Sequence, residues 1–443
     1  MMRLLPLLAV FLIATPAAAQ TTVIPAPPVA PEPAKADPAF TERVDQLPGL
    51  LMGTVSYDDY FTPAFKAAVP REKFAPVIAQ FKANGVTGIE KIEQASPWQA
   101  TVQVGLKEAV VTIKIAVDPA APHQVSGLLI TGSALRDTGK TPATPAEAAA
   151  EIRTLRGSAG FAVARLGTGA PQLIQGYNQD KPYAIGSAFK LVILSELVRA
   201  TNKGERKWDD LVTLDGGQLP GGGYTMKPKG TQVSLRELAT QMISISDNSA
   251  TDILLHTLGR TKVEAMMPVL GIADPARNRP FLATLDMFKL KGVAGLADRY
   301  LALDEAGRRA LLDGEAAAVP TILIDQTSFQ TKTPKMIDTL EWFESPNDLV
   351  RVMDWLRRNT EANPDARAIL SKNPGMAPDA AAKWQWIGFK GGSEPGVVNL
   401  TYLLQAKDGG WYVVTGSWND PQKEVELGHF AALIGKTAEL ATP

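Results

Sequence analysis

The chain has 443 residues, with 45 basic and 46 acidic side chains, a net charge of −1, and 45% hydrophobic against 21% charged residues. That is a globular balance for two or three domains, and it offers no general field for nucleic acid or an anionic membrane. The lack of any cysteine excludes disulfide staples, thiolate zinc sites, a cysteine nucleophile and a lipid-bearing N-terminal cysteine. With three scattered histidines (His123, His256, His429) and neither HExxH nor GxSxG, zincin and hydrolase-elbow chemistry have no support.

The first residues, Met1-Met2-Arg3, an apolar run from Leu4 to Ile13 and then Ala17-Ala18-Ala19-Gln20, have the order of a secretory signal peptide. The run is about half the twenty residues a membrane span needs. Residues 1–19 are therefore read as a signal peptide cleaved near Ala19-Gln20. This predicts a secreted or periplasmic mature protein without a stable membrane span. Residues 20–39 carry six prolines, Pro25, Pro27, Pro28, Pro31, Pro33 and Pro38, and read as an extended linker.

Residues 40–135 read as a small α+β domain. Phe74, Val77, Ile78 and Phe81 recur at helical spacing, with Pro70 before them and Asn84-Gly85 as a stop signal. The period then changes to two: Val102, Val104 and Leu106, a turn at Lys107-Glu108, then Val111, Ile113, Ile115 and Val117, and a further strand from Val125 to Thr131. One or two helices followed by an antiparallel meander resembles cystatin-like or NTF2-like domains in element order. A packing or positioning module is the favoured role. A Thr-, Gly- and Pro-rich stretch, residues 136–147, separates it from a larger domain at 148–443.

In the larger domain, residues 162–164 and 171–177 read as paired strands. Next comes Ser187-Ala-Phe-Lys190, opening an apolar segment to about residue 200 that predicts a buried central helix. Ser187 and Lys190, three residues apart, share a helical face. An apolar site disfavours the lysine cation, and a neutral lysine can take the proton of a neighbouring serine and make it a nucleophile. First-turn N–H groups also lie near the carbonyl such a serine would attack. The second signal is Ser246-Asp247-Asn248, 59 residues after Ser187; the third is Lys390-Gly391-Gly392-Ser393, followed by a strand-like run from Val397 to Leu404.

The order SxxK, SDN, K-x-G resembles the class A β-lactamases and the penicillin-binding transpeptidases and carboxypeptidases. The flanking text agrees: Ile-Gly-Ser-Ala-Phe-Lys around Ser187, Met-Ile-Ser-Ile-Ser-Asp-Asn around Ser246, Glu344-Ser-Pro-Asn-Asp-Leu before a helix, and a last apolar helix near 425–440. The resemblance implies an α/β (α+β) fold of the β-lactamase/transpeptidase type. An antiparallel sheet is flanked by helices, an all-α subdomain holds Ser246, and the closing strands and last helix pack on the opening strands. By the same resemblance Ser187 is acylated, Lys190 is its base or relay, and Ser246 passes a proton to the leaving group. Asn248 binds the substrate amide and helps hold Lys190. Lys390 supplies positive charge at Ser246 or a substrate carboxylate. The backbone of Ser187 and Ser393 forms an oxyanion hole, with Gly391 and Gly392 beside it. Asp247 is read as structural, and Tyr224 as a cleft-lining or plain loop aromatic. No metal or cofactor is called for.

Two departures matter. Gly391 stands where the family has a hydroxyl residue, which weakens the case for carboxylate-bearing β-lactams because a charged hydrogen bond is worth about 1.5–3 kcal/mol. No ExxLN pattern follows the SDN motif; the nearest approach is Asp274-Pro-Ala-Arg-Asn278, a poor deacylating pair. Residues 281–340 form a segment longer than the family loop, with an amphipathic stretch from Leu296 to Leu312. Glu305, Asp313 and Glu315 there read as solvated charges. The whole pattern suits β-lactamase-like serine hydrolases with a preceding cystatin-like domain, such as the esterase-type protein of clavulanic-acid gene clusters. The expected activity is hydrolysis of a small acyl substrate (a β-lactam, an ester or a D-amino-acid peptide) through a Ser187 acyl-enzyme. The alternatives are a D,D-peptidase or penicillin-binding protein, and a wall-fragment binding or sensing protein without turnover. Oligomeric state is left open.

Overall fold

The computed structural model describes residues 35–107, 109–135, 142–325, 333–376 and 378–441. The expected signal peptide, most of the first linker and residues 136–141 of the second lie outside the described residues. The chain divides into two compact units, Met1–Arg136 and Asp137–Pro443.

The first unit opens with four helices, α1 (Pro38–Leu51), α2 (Tyr57–Tyr60), α3 (Pro63–Ala68) and α4 (Arg71–Asn84). Asp37 caps α1 through its side chain, so folded structure begins inside the stretch assigned to the linker. Gly85, at φ +66°, ends α4 in the left-handed conformation that glycine tolerates. A four-stranded antiparallel meander follows in the order β1 (Val86–Ser96), β2 (Gln99–Leu106), β3 (Ala109–Val117) and β4 (Val125–Leu135). The alternating residues Val102, Val104, Leu106, Val111, Ile113 and Ile115 are buried in one core with Phe40, Leu47 and Phe81 of the helices and Phe61, which follows α2. Strand β1 was not foreseen: it is an edge strand, largely exposed, and carries no period-two signal.

The second unit begins with α5 (Pro145–Ile152), which straddles the expected boundary at 148 and is closed by a capping box between Thr144 and Glu147. Then come β5 (Ser158–Leu166), β6 (Gln172–Tyr177), β7 (Tyr183–Ala184), a 3-10 turn (Gly186–Phe189) and α6 (Lys190–Asn202). A small hairpin, β8 (Leu211–Thr213) with β9 (Gln232–Ser234), leads to α7 (Leu235–Ser244), α8 (Asn248–Leu258) and α9 (Arg260–Val269). The long insertion holds α10 (Thr284–Gly292), α11 (Leu296–Leu301) and α12 (Glu305–Leu311); the amphipathic stretch is two helices, broken before Asp304, which caps the second. Last are β10 (Phe343–Glu344), α13 (Pro346–Thr360), α14 (Pro364–Leu370), α15 (Pro378–Ala381), β11 (Trp386–Glu394), β12 (Val397–Gln405), β13 (Trp411–Asn419) and α16 (Leu427–Thr437).

The main sheet has the order β11-β12-β13-β5-β6, antiparallel throughout. Strand β13, near the end of the unit, pairs along its whole length with β5, near the beginning. One face of the sheet packs on α5 and α16 through Phe161, Val163, Val414, Phe430 and Ile434. The other face packs on the helical layer around α6, whose residues 190–198 are all buried. Strand β11 is at the edge, which leaves its outer side for the site described next. Among the described residues no helix is long and apolar enough to cross a membrane.

Candidate active site

Four segments meet at the outer edge of β11. The chain leaves β7, where Ile185 N donates to Trp342 O, and turns sharply at Gly186, φ +48°. Ser187 therefore sits in a 3-10 turn just before α6, rather than in the first α-helical turn that the motif spacing predicts. Phe189 stacks on Trp342 with ring centroids 3.7 Å apart and fixes this turn from below. Strand β11 lies against it: a Cβ built on Gly392 would fall onto Ile185 O and Ser187 N, and one built on Gly186 would lie 3.0 Å from Ser393 N. Only glycine at 392 allows this approach. It places the Ser187 and Ser393 backbones side by side.

Lys190 begins α6 and is fully buried. Its Nζ donates to Ser246 O (2.6 Å), Ser246 Oγ (3.0 Å) and Asn248 Oδ1 (2.7 Å). All three partners are neutral. Burial lowers its pKa to about 7, with only partial opposition from Asp247 and Asp252. Lys390, also buried, donates from Nζ to Ser246 Oγ (3.0 Å) and to Gly391 O (2.6 Å). Burial first, and then the neighbouring Lys190, hold its pKa well below the usual lysine value. Ser246 Oγ is thus bridged by two lysines from α6 and β11. Among the described residues Ser187 Oγ makes no hydrogen bond, and its side chain is partly open to solvent.

Ser246 lies between α7 and α8 with φ +60°, a left-handed conformation that costs a non-glycine residue about 1–3 kcal/mol. The surroundings impose it: Ile245 N and Asp247 N both donate to Gln241 O. Asp247 caps α8 by accepting from Ala250 N (2.8 Å) and Ser249 Oγ (2.6 Å), and it reaches across to Gly223 N (2.6 Å). Asp247 therefore fixes two loops and not only its own.

Tyr224 falls elsewhere. Its ring is buried in the helical core and its hydroxyl donates to Glu237 Oε1 (2.9 Å), so packing takes up the side chain and it does not line the cleft. Asp274 caps the short turn Pro275–Asn278 by accepting from Arg277 N, an exposed capping role. Asn278 is buried and exchanges both amide hydrogen bonds with the backbone of Phe343, closing the base of the insertion. Glu305 and Glu315 pair with Arg309 and Arg299 on the surface.

Among the described residues no group of three or more acidic or histidine side chains is arranged to hold a metal ion. A model of the beta-lactamase enzyme family matches residues 146–439. The chain belongs to that family. In this beta-lactamase-family chain the match covers most of the second unit, from within α5 to just past α16. Similar solved structures include a beta-lactamase from Sphaerobacter thermophilus, 21% identical, covering 67% of this chain and 94% of that one at a TM-score of 0.45. A beta-lactamase from Chitinophaga pinensis is 17% identical, covering 67% and 97%, also at 0.45. PBP-A is 16% identical, covering 67% and 94%, at 0.45. No curated protein matches the chain.

The sequence did not reveal an ionic cluster at the far end of β11. Lys291 Nζ, at the end of α10, donates to Glu341 Oε1 (2.6 Å) and to Glu394 Oε1 (2.7 Å). Lys291 and Glu341 are almost fully buried, while the Glu394 side chain is 27% exposed. Burial alone lowers Lys291, but the two carboxylates outweigh it and raise it above its usual value. Glu394 is pushed well above the carboxylate range by burial and by Glu341. The three residues are separated in sequence by 50 and 103 positions, so no local motif announces them.

Proposed function

We propose that the protein is an exported serine acyl hydrolase that works through a Ser187 acyl-enzyme. The observation that carries this reading is the Ser246 hydroxyl bridged between Lys190 and Lys390, next to the Ser187 turn against which Gly392 is packed.

In this reading Ser187 Oγ attacks the substrate carbonyl. Its proton passes to neutral Lys190, either directly or through Ser246 Oγ, and Ser246 delivers it to the leaving group. The N–H groups of Ser187 and Ser393 receive the developing oxyanion. A lysine with a pKa of about 7 is half neutral at neutral pH, whereas an ordinary lysine near 10.4 is neutral in well under roughly 1% of molecules. Burial among neutral partners therefore supplies the base. Asn248 keeps Lys190 in place and offers its amide to the substrate.

The substrate preference follows from Lys390 and Gly391. Lys390 points its hydrogen bonds to Ser246 and Gly391 into the protein, its positive charge is disfavoured, and Gly391 offers no hydroxyl. The site is poor at anchoring a carboxylate, which favours neutral esters over β-lactams that carry one. The N-terminal leader makes the periplasm or the exterior the place of action.

The test is intact-mass analysis of the chain from residue 20, mixed with 4-nitrophenyl acetate or a penicillin, beside Ser187→Ala. A transient adduct with product release, absent from Ser187→Ala, supports the reading. Turnover that survives Ser187→Ala refutes it. A persistent penicillin adduct would instead make the protein a penicillin-binding peptidase or sensor.

A further inference from the structure

An acyl-enzyme is released only when a water molecule loses a proton as it attacks, and a positioned base typically speeds that step 10²–10⁴-fold. The lysine–serine network lies on one side of Ser187. The ionic cluster of Glu394, Lys291 and Glu341 lies on another, and three observations place it there. Side chains alternate along a strand, so Lys390, Gly392 and Glu394 share one face of β11. Lys390 reaches Ser246 on that face, and Gly392 abuts Ser187 N on it. Glu394 is therefore the next side chain beyond the nucleophile, about 7 Å along the strand from Gly392. Glu341, in turn, precedes Trp342, whose carbonyl accepts from Ile185 N and whose ring stacks on Phe189, the two ends of the nucleophile turn. Of the three members only Glu394 is open to water.

We propose that Glu394 is the general base that hydrolyses the Ser187 acyl-enzyme, held in place by Lys291 and Glu341. This rests on the acyl-enzyme reading above. Water oxygen bonds to the acyl carbon while one water proton goes to a Glu394 carboxylate oxygen. The carbonyl electrons move to the oxyanion facing the Ser187 and Ser393 N–H groups. Collapse breaks the bond from acyl carbon to Ser187 Oγ, and that oxygen recovers a proton from the Lys190–Ser246 pair. The carboxylic acid leaves, the proton taken up by Glu394 passes back through water to restore the one the Lys190–Ser246 pair gave up, and water is the only co-reactant. Glu341 stays paired with Lys291. A carboxyl pushed up by burial and by a second carboxylate binds a proton more tightly than a free one once Lys291 has kept it ionised, and the ionised share grows as pH rises, so deacylation has a rising pH limb.

The experiment is stopped-flow and intact-mass kinetics of the full chain with 4-nitrophenyl acetate, comparing the parent, Glu394→Gln and Ser187→Ala. Glu394→Gln is expected to acylate at the parent's rate, to release one equivalent of nitrophenol as a burst, and then to turn over at least 100-fold more slowly with the adduct on Ser187. Steady turnover within threefold of the parent overturns the proposal. A parent without any Ser187-dependent adduct or burst overturns the acyl-enzyme reading itself, a separate outcome. Should Glu394→Gln melt far below the parent, Glu341→Gln decides. Glu394 is faced by Lys291 from α10 and Glu341 from the segment before β10, with Lys390 farther along its own strand. Removing the Glu341 charge lowers the pKa of Glu394, so the rising limb of deacylation moves to lower pH; an unmoved limb overturns the proposal.

Discussion

Lys190 and Lys291 are both almost fully buried, yet they are driven in opposite directions. Lys190 has a carbonyl, a hydroxyl and an amide for partners, and its pKa falls to about 7. Lys291 has two carboxylates, and its pKa rises. Burial penalises both cations equally in kind; the charge of the partners decides which one keeps its proton. One cluster is thus built on a basic amine and the other on a fixed cation holding two carboxylates.

The largest expected effects separate the two sides. Ser187→Ala should cut turnover by about 10,000-fold while leaving stability unchanged, as measured by steady-state hydrolysis and denaturant melts. Lys291→Met should do the reverse in kind: it strands two acids, and breaking a buried ion pair costs about 3–5 kcal/mol, read as a lower urea midpoint. A Lys291→Met protein with parental stability would break the comparison.

Asn248→Asp tests it more finely, by giving Lys190 the kind of partner that Lys291 has. A carboxylate at the amide oxygen, 2.7 Å from Nζ, should raise the lysine pKa by about 1–3 units. The base must be neutral to accept a proton, so activity rises with pH through the folded-state pKa. In the parent that limb lies near pH 7; in Asn248→Asp it should move up, and kcat/KM at pH 7 should fall roughly 10- to 100-fold. An unmoved limb would mean that burial alone sets the lysine. The smallest effect is Tyr224→Phe, which loses one hydrogen bond to Glu237 and should cost about 1 kcal/mol in the same urea melts.

The lysine–serine side was legible in the sequence and the acidic side was not, for a physical reason. SxxK and SDN are short because each is set within one turn of chain: Ser187 and Lys190 flank the start of α6, and Ser246 to Asn248 form the entry to α8. The Lys291 cluster joins a helix, a loop and a strand end, each of which reads as an ordinary charged surface when taken alone. The same contrast holds for the fold. Strands β2, β3 and β12 were visible because burial on at least one face imposes an apolar pattern, whereas β1, at an edge, needs none. Tyr224 was misleading because its glycine-rich neighbourhood marks a loop, while the ring itself turns inward to the helices.

The pairing of β13 with β5 also governs when in its life the protein can react. Ser187 is made early, but the strand carrying Lys390 and Gly392 emerges about 200 residues later, and β13 later still. At about 5–20 residues per second this leaves an interval on the order of 10–40 s in which the nascent chain already has Ser187 but lacks Lys390 and the strand that packs against it. Under the proposed acyl-enzyme reading, chemistry at Ser187 is thereby deferred until the sheet closes, so a chain still being synthesised escapes acylation.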